Sequence, residues 1–185
     1  MNSKVALIIG AGTSLGSSIT KVFADDNFTV VPVRREGEKL KPLEEEINSK
    51  GGKCFSFSLD ARKEDEVQNF IERVEREIGE IEVAVYNIGA NIKYNLTETS
   101  SKKYFKVWEM AAFGAFLMGR EVAKNMIKRK RGTIIFTGAT ASIRGGDGFS
   151  AFAGAKNAKR ALAQSMAREL AVSYTHLTLP TILHV

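Results

Sequence analysis

The run KVALIIG, Lys4 to Gly10, most constrains the fold, because it is apolar without interruption from Val5 and then breaks at a glycine. A strand with no polar residue at alternate positions has no face to offer water, so it belongs in a parallel sheet covered on both sides. Similar short runs recur as FTVVPV (Phe28 to Val33), CFSFSL (Cys54 to Leu59), IEVAVYNIG (Ile81 to Gly89) and TIIFTG (Thr133 to Gly138). Pro32 is tolerable near the end of the second of these. Helical patterns separate them: Leu15 to Asp25, Glu36 to Ser49 (ended by Gly51 and Gly52), Lys63 to Ile78, a long one from Ser101 to Lys130, and an alanine-rich one from Ser150 to Ala171. In the third, Val67, Phe70, Ile71, Val74 and Ile78 make one apolar stripe. Strand and helix in strict alternation predict an α/β fold with a single doubly wound, Rossmann-like parallel sheet, helices on both faces and right-handed crossovers.

With 185 residues, 44% hydrophobic and 26% charged, the chain suits one domain with a sizeable core. Its net charge of +6 suits an anionic ligand or a nucleic acid and decides neither. The run KRKRG, Lys128 to Gly132, places cations at the negative end of the long helix, with Gly132 as the residue that ends it. No aromatic interleaving or nucleic-acid module accompanies that run, so a nucleic-acid partner is not expected. Lone Cys54 excludes a disulfide framework and a cysteine zinc cluster, and its strand-like setting makes it a small core hydrophobe. No apolar stretch is long enough to span a bilayer. A soluble cytoplasmic protein that engages no membrane is the expectation.

Val172 to Val185, VSYTHLTLPTILHV, contains no charged residue, although the helix before it is rich in Arg and Lys. VSYTHLTLPT is also what one frame of a transposase adapter used in sequencing libraries encodes. Residues 1–171 are therefore expected to be a natural domain incomplete at its C-terminus, and residues 172–185 a translated adapter. The only histidines, His176 and His184, both fall in that tail. The natural part then has no imidazole for Ser-His-Asp or Cys-His hydrolysis or for a histidine-held metal, and no metal is expected. Without the tail the sheet lacks its last strands, and the fifth strand is expected to be an exposed edge that promotes aggregation.

The sharpest local signal is IIGAGTSLGSS, a strand, a glycine turn and a helix start, which aims backbone N–H groups and a positive helix end at a phosphate. Gly10-Ala-Gly12-Thr13-Ser14-Leu15-Gly16, Asp60-Ala61, Asn87-Ile-Gly89 and Phe152-Ala-Gly-Ala-Lys156, in this order and at these separations, resemble the short-chain dehydrogenase/reductase family across essentially all of Met1 to Ala171. The family's turn is G-x-x-x-G-x-G, so Gly10 and Gly16 match it while Ser14 stands at the middle glycine. The resemblance implies a dinucleotide held by Gly10, Gly12, Thr13, Ser14, Leu15 and Gly16, with hydroxyls of Thr13 and Ser14 available to phosphate. It implies Asp60 and Ala61 at the adenine, Asn87 and Gly89 beside the cofactor, and Lys156 on the nicotinamide ribose. An acid at the end of the second strand would hold ribose hydroxyls, but Val33 stands there and Arg34 and Arg35 follow. Guanidinium groups suit a 2′-phosphate, so NADP(H) is expected over NAD(H).

In the family, a Tyr one helical turn before the Lys, a Ser after the fifth strand and an Asn in the long helix complete the catalytic set. Here those positions hold Phe152, Ala139 and Ala111. Of that set only Lys156 remains, while Ser142, Ser150, Tyr86 and Tyr94 are nearby groups that could handle a proton. Two functions stay open. One is an oxidoreductase with an altered proton donor, acting on an unidentified carbonyl or activated C=C substrate. The other is a non-catalytic dinucleotide-binding protein that works through a partner. The alanine-rich helix with Gly154 implies, as in family oligomers, packing against a second copy.

Overall fold

The computed structural model describes residues 4–171 and 176–178. The adapter reading of Val172 to Val185 lies outside the described residues apart from the backbone of His176–Thr178.

Among the described residues, seven strands and six helices follow one another: β1 (Lys4–Ile9), α1 (Leu15–Asp25), β2 (Thr29–Arg34), α2 (Lys41–Ser49), β3 (Lys53–Cys54), β4 (Phe57–Ser58), α3 (Glu64–Glu77), β5 (Glu80–Tyr86), α4 (Ser101–Trp108), α5 (Gly114–Arg129), β6 (Thr133–Phe136), α6 (Ser150–Ala171) and β7 (His176–Thr178). Every pairing is parallel, in the order β3-β2-β1-β5-β6-β7, with β4 also on β2. Period-two alternation sorts the side chains. Val5, Leu7 and Ile9 enter a core with Val67, Ile71 and Val74 of α3 and Leu117, Met118 and Val122 of α5, while Ala6 and Ile8 face Leu43 and Ile47 of α2 and Ile19 and Phe23 of α1. Both faces are therefore dry, as the unbroken run requires. Burying each of Val67, Ile71 and Val74 contributes roughly 1.5–3 kcal/mol. Cys54 belongs to the second core, and burial pushes its thiol up to about 12.

The third run, read as one strand, is two short strands with a gap between them, and Pro32 accounts for the gap. The carbonyls of Val30 and Arg34 accept from Phe55 and Leu59, so by alternation Pro32 also faces that side, where it has no N–H to give. The Ser56 N–H turns instead to the Glu44 carboxylate at 2.9 Å. The proline thus sits inside a strand flanked on both sides, at the cost of the ladder opposite it.

The long helix is also interrupted. Between α4 and α5 the residues Glu109–Phe113 form a π turn. The Tyr86 hydroxyl donates to the Met110 carbonyl there at 2.6 Å, and any side chain at Gly114 would collide with that hydroxyl. At the other end of α5 it is Lys130, with φ 54°, that takes the left-handed position, not Gly132. Gly132 is needed two residues later, where φ is +143° and a Cβ would strike Met126. The basic run is drawn into the fold: Arg129 pairs with Glu75 at 2.9 Å and Arg131 with Glu82 at 2.6 Å and with Glu80. Thr133–Ile135 of β6, expected as a bare edge, pair with His176–Thr178. Among the described residues, no helix is long and apolar enough to cross a membrane.

Candidate functional site

All strands point the same way, so the turns leaving their carboxyl ends gather on one rim. The connection from β1 runs to β2 on one side and the chain returns to β5 on the other, which opens a crevice above β1 and β5. Gly10 closes β1 into this crevice with φ +94°, its N–H donating to Val33 at 2.9 Å. A Cβ there would meet the Ile88 backbone nitrogen at 2.9 Å and the Asn87 carbonyl carbon at 3.0 Å, so both its conformation and its neighbours demand glycine. Asn87 locks the same place: its Nδ2 donates to the Gly10 carbonyl at 3.1 Å and its N–H to Ile9 at 2.8 Å. Gly16 lets α1 press against the turn, since a Cβ would lie 2.6 Å from Ala11 Cα. Gly12, by contrast, has open space around it.

The first turn of α1 carries no acid, and Ser14 at its N-cap makes no side-chain cap. The N–H groups and positive end of that helix are left for an anion. Thr13, Ser14 and Leu15 stand exposed on the turn, and Gly16 is buried beneath it. A cleft of about 320 Å³ extends from here, lined by Gly10, Gly12, Arg34, Arg35, Asp60, Ala61, Asn87 and Gly89 among others. Its size falls in the usual range for small-molecule sites. Eight of the residues singled out in the sequence are thus brought to one cleft. A glycine cradle that a Cβ would fill, a helix start without acids and two arginines at the far end form a donor set that suits a phosphate-bearing dinucleotide.

Among the lining residues that were not foreseen are Glu36, Arg62 and Met110. Arg62 grips Asp60, its Nε donating to Oδ1 at 2.8 Å and its Nη2 to Oδ2 at 2.5 Å, and this hydrogen bonding holds the carboxyl below its usual range. Glu36 bonds to Lys39, which lowers its carboxyl too, helped by Arg34 and Arg35. Arg34 and Arg35 make no direct ion pair among the described residues. The sequence signal for Arg62 was its place two residues after Asp60, within reach of a bidentate pair.

At the opposite end of the crevice, Lys156 is 4% exposed and donates to the Thr137 carbonyl at 3.1 Å. Its Nζ lies 5.6 Å from the centre of the buried Phe152 ring, and a Cβ on Gly89 would approach that Nζ to 3.5 Å. Lys156 therefore sits directly behind the cleft wall rather than in the lining. Burial lowers its ammonium from the ordinary lysine range. Ala111 is fully buried in the π turn, and Ala139 is half-buried after β6.

The four nearby hydroxyls fare differently. Tyr86 is fully buried with its proton given to Met110, and burial raises its phenol further. The Ser142 hydroxyl accepts from the Ala139 N–H at 3.1 Å, beside the position where the family has its serine. Among the described residues the Ser150 hydroxyl is buried without a partner. Tyr94 lies in the loop after β5, with Lys103 Nζ 4.2 Å from its ring centre.

A model of the short chain dehydrogenase family matches residues 4–178. The chain is 28% identical over 172 residues to a 2-dehydro-3-deoxy-D-gluconate 5-dehydrogenase of Formosa agariphila, covering 92% of this chain and 65% of that one. It is 26% identical over 168 residues to a 3-oxoacyl-acyl-carrier-protein reductase of Bos taurus, covering 91% and 70%. Among solved structures, a short-chain dehydrogenase from Rhodopseudomonas palustris is 49% identical with a TM-score of 0.92, covering 97% of this chain and 84% of that one. A metagenomic short-chain oxidoreductase in complex with NADP is 26% identical with a TM-score of 0.90, covering 97% and 81%.

Proposed function

The chain belongs to the short chain dehydrogenase family, and from that premise we propose that it is an NADP(H)-binding oxidoreductase that works without the family's phenol. One observation carries the reading: the Gly10–Gly12 turn, which leads into the bare start of α1, and the Arg34–Arg35 pair line a single cleft. The backbone N–H groups beyond Gly10 and the hydroxyls of Thr13 and Ser14 would hold the pyrophosphate. Arg34 and Arg35 would hold a 2′-phosphate, each charge-assisted contact being worth about 1.5–3 kcal/mol. Asp60, already fixed by Arg62, keeps lone pairs for the adenine amino group, and Lys156 would bind the nicotinamide ribose. When bound, the dinucleotide supplies or accepts a hydride. This chain's own part is to hold it, to shield the reacting face with the Phe152 ring, and to manage the proton at the substrate oxygen. A carbonyl or an activated C=C bond is the substrate class, and a cytoplasmic, self-associating enzyme is the setting.

A second reading, a dinucleotide-binding protein without turnover, is favoured by Phe152, Ala139 and Ala111 all lacking a polar group at positions where the resemblance implies a phenol, a hydroxyl and an amide. Loss of a positioned proton donor typically removes ~10² to 10⁴-fold of rate. Titration of the protein with NADPH and NADH, followed by a screen of carbonyls and enones for loss of NADPH absorbance, separates the readings. Tighter binding of NADPH with substrate-dependent turnover is expected. Binding without turnover selects the second reading, and no dinucleotide binding ends both. The reading of residues 172–185 as adapter-derived is likewise a proposal, supported by the loss of charge after Glu169 and tested by resequencing the source DNA without that adapter.

A further inference from the structure

α6 sets one buried stripe against the sheet, Phe152, Lys156, Lys159, Ala163 and Leu170 at helical spacing, and two of these five are lysines. An amine taken out of water costs stability that an alkyl chain in its place would not, unless its donors find acceptors. Lys156 meets the Thr137 carbonyl, where the chain leaves β6. Lys159 is 1% exposed, and its Nζ donates at 3.3 Å to the Ile88 carbonyl, where the chain leaves β5, while lying 5.5 Å from the centre of the Tyr86 ring.

The sheet has ended at that point. The Asn87 N–H still reaches Ile9, but among the described residues no backbone N–H reaches the carbonyl of half-buried Ile88, so the lysine stands in for the missing strand. The peptide that it holds is cleft wall, since Ile88 and Gly89 both line the cleft. On its other side the Ile88 nitrogen lies 2.9 Å from the place of a Gly10 Cβ, and Asn87 Nδ2 donates to the Gly10 carbonyl at 3.1 Å. In a planar trans peptide the N–H points opposite to the carbonyl, so the Gly89 N–H is directed away from Lys159. That N–H has no acceptor among the described residues, and Gly89 is exposed.

We propose that Lys159 is a positioning residue for the dinucleotide: its amine fixes the tilt of the Ile88–Gly89 peptide, so that the Gly89 N–H is presented to an oxygen of the cofactor and the Gly10 turn keeps its shape. This rests on the NADP(H)-binding reading. Lys159 touches no cofactor itself and acts through the main chain. Without the amine the Ile88 carbonyl turns toward water, the peptide rotates, and binding has to restore an order that the free protein no longer holds.

The test compares the full chain with Lys159→Met, which keeps an apolar stem and removes the donors. Labelling with [1-¹³C]isoleucine and [¹⁵N]glycine restricts a carbonyl–amide NMR spectrum to three peptides, Ile9–Gly10, Ile78–Gly79 and Ile88–Gly89. In the variant the Ile88–Gly89 signal is expected to shift, with Ile9–Gly10 following because Ile88 rests on Gly10, while Ile78–Gly79, before the opposite end of β5, stays. NADP⁺ should move the Gly89 amide proton downfield in the parent and less in the variant. The Kd for NADPH and for NADH should each rise by about fivefold or more at a constant ratio, the arginine pair being untouched, while the melting temperature near about pH 7 holds or rises. Unchanged affinity, or a fall that only tracks a lower melting temperature, overturns the positioning role and leaves NADP(H) binding standing. A parent Gly89 amide indifferent to bound NADP⁺ overturns it as well, whether or not the variant folds. A parent that binds neither dinucleotide overturns the NADP(H) reading, and the role with it.

Discussion

The two ends of the crevice have been built by opposite means. At the β1 end, backbone conformation does the work: Gly10 at φ +94°, a helix start without acids, and Asn87 tying the turn to β5. At the α6 end the backbone is ordinary helix and the side chains decide, with the Phe152 ring and the Lys156 amine beside Thr137 and Gly89 and the Lys159 amine on Ile88. Recognition that rests on backbone cannot be lost by exchanging one side chain except at a glycine. Chemistry that rests on side chains can be rewritten position by position while the fold stays intact. The two ends are therefore free to diverge separately, and the comparison can be tested from both.

The largest change is expected from Phe152→Tyr combined with Ala139→Ser, which puts a phenol one turn from Lys156 and a hydroxyl beside it. Carbonyl-reduction kcat should rise toward the ~10²-fold that a positioned proton donor contributes, with NADPH affinity moving by less than about threefold. Unchanged kcat would show that the α6 end runs on other chemistry. Gly10→Ala attacks the opposite end: its left-handed backbone penalty is about 1–2 kcal/mol before the contact with Ile88 is counted. NADPH affinity, read by fluorescence titration, should fall by tenfold or more along with the melting temperature. Retained affinity would break the claim that backbone shape governs this end.

Arg34→Ala with Arg35→Ala should cut the preference for NADPH over NADH by roughly tenfold, since one charge-assisted contact is worth about that much. A ratio that stays constant would move 2′-phosphate recognition elsewhere. Lys159→Met is read on the denaturation midpoint instead. The folded-state pKa of Lys159 is lowered to about 6 from 10.5, so between those values the unfolded chain binds more protons and stability rises with pH. The variant lacks that slope, so its gain in stability should be larger near about pH 7 than near about pH 10. Gly12→Ala, in open space beside the cleft, should leave the melting temperature where it was, so that any loss of NADPH affinity reports contact with the dinucleotide itself.

The architecture was legible because double burial leaves a plain mark: β1 is buried throughout after Lys4 and β5 from Val83 onward, and α3 shows a complete stripe. The cleft was legible for a different reason, since glycines and arginines at strand ends have few other duties. What escaped reading arises from contacts distant in sequence. The π turn exists because the Tyr86 hydroxyl reaches Met110, 24 residues away, and nothing in EMAAF announces it. The divided third strand follows from Pro32 in its neighbour. Lys159 reads locally as one more cation on a charged helix, and only its three-residue spacing from Lys156 hints that both share the inward face.

That π turn sets more than the local geometry. Phe105, Trp108, Phe113 and Phe116 stack in succession, with ring centres 5.9, 6.0 and 6.3 Å apart, and the middle step, Trp108 to Phe113, spans five residues. In an unbroken α-helix five residues would set those two rings about 140° apart around the axis. The wider turn at Glu109–Phe113 swings the second pair into line with the first, so that a hydroxyl on the sheet decides whether the helix wears its aromatic rings as a single row or as two.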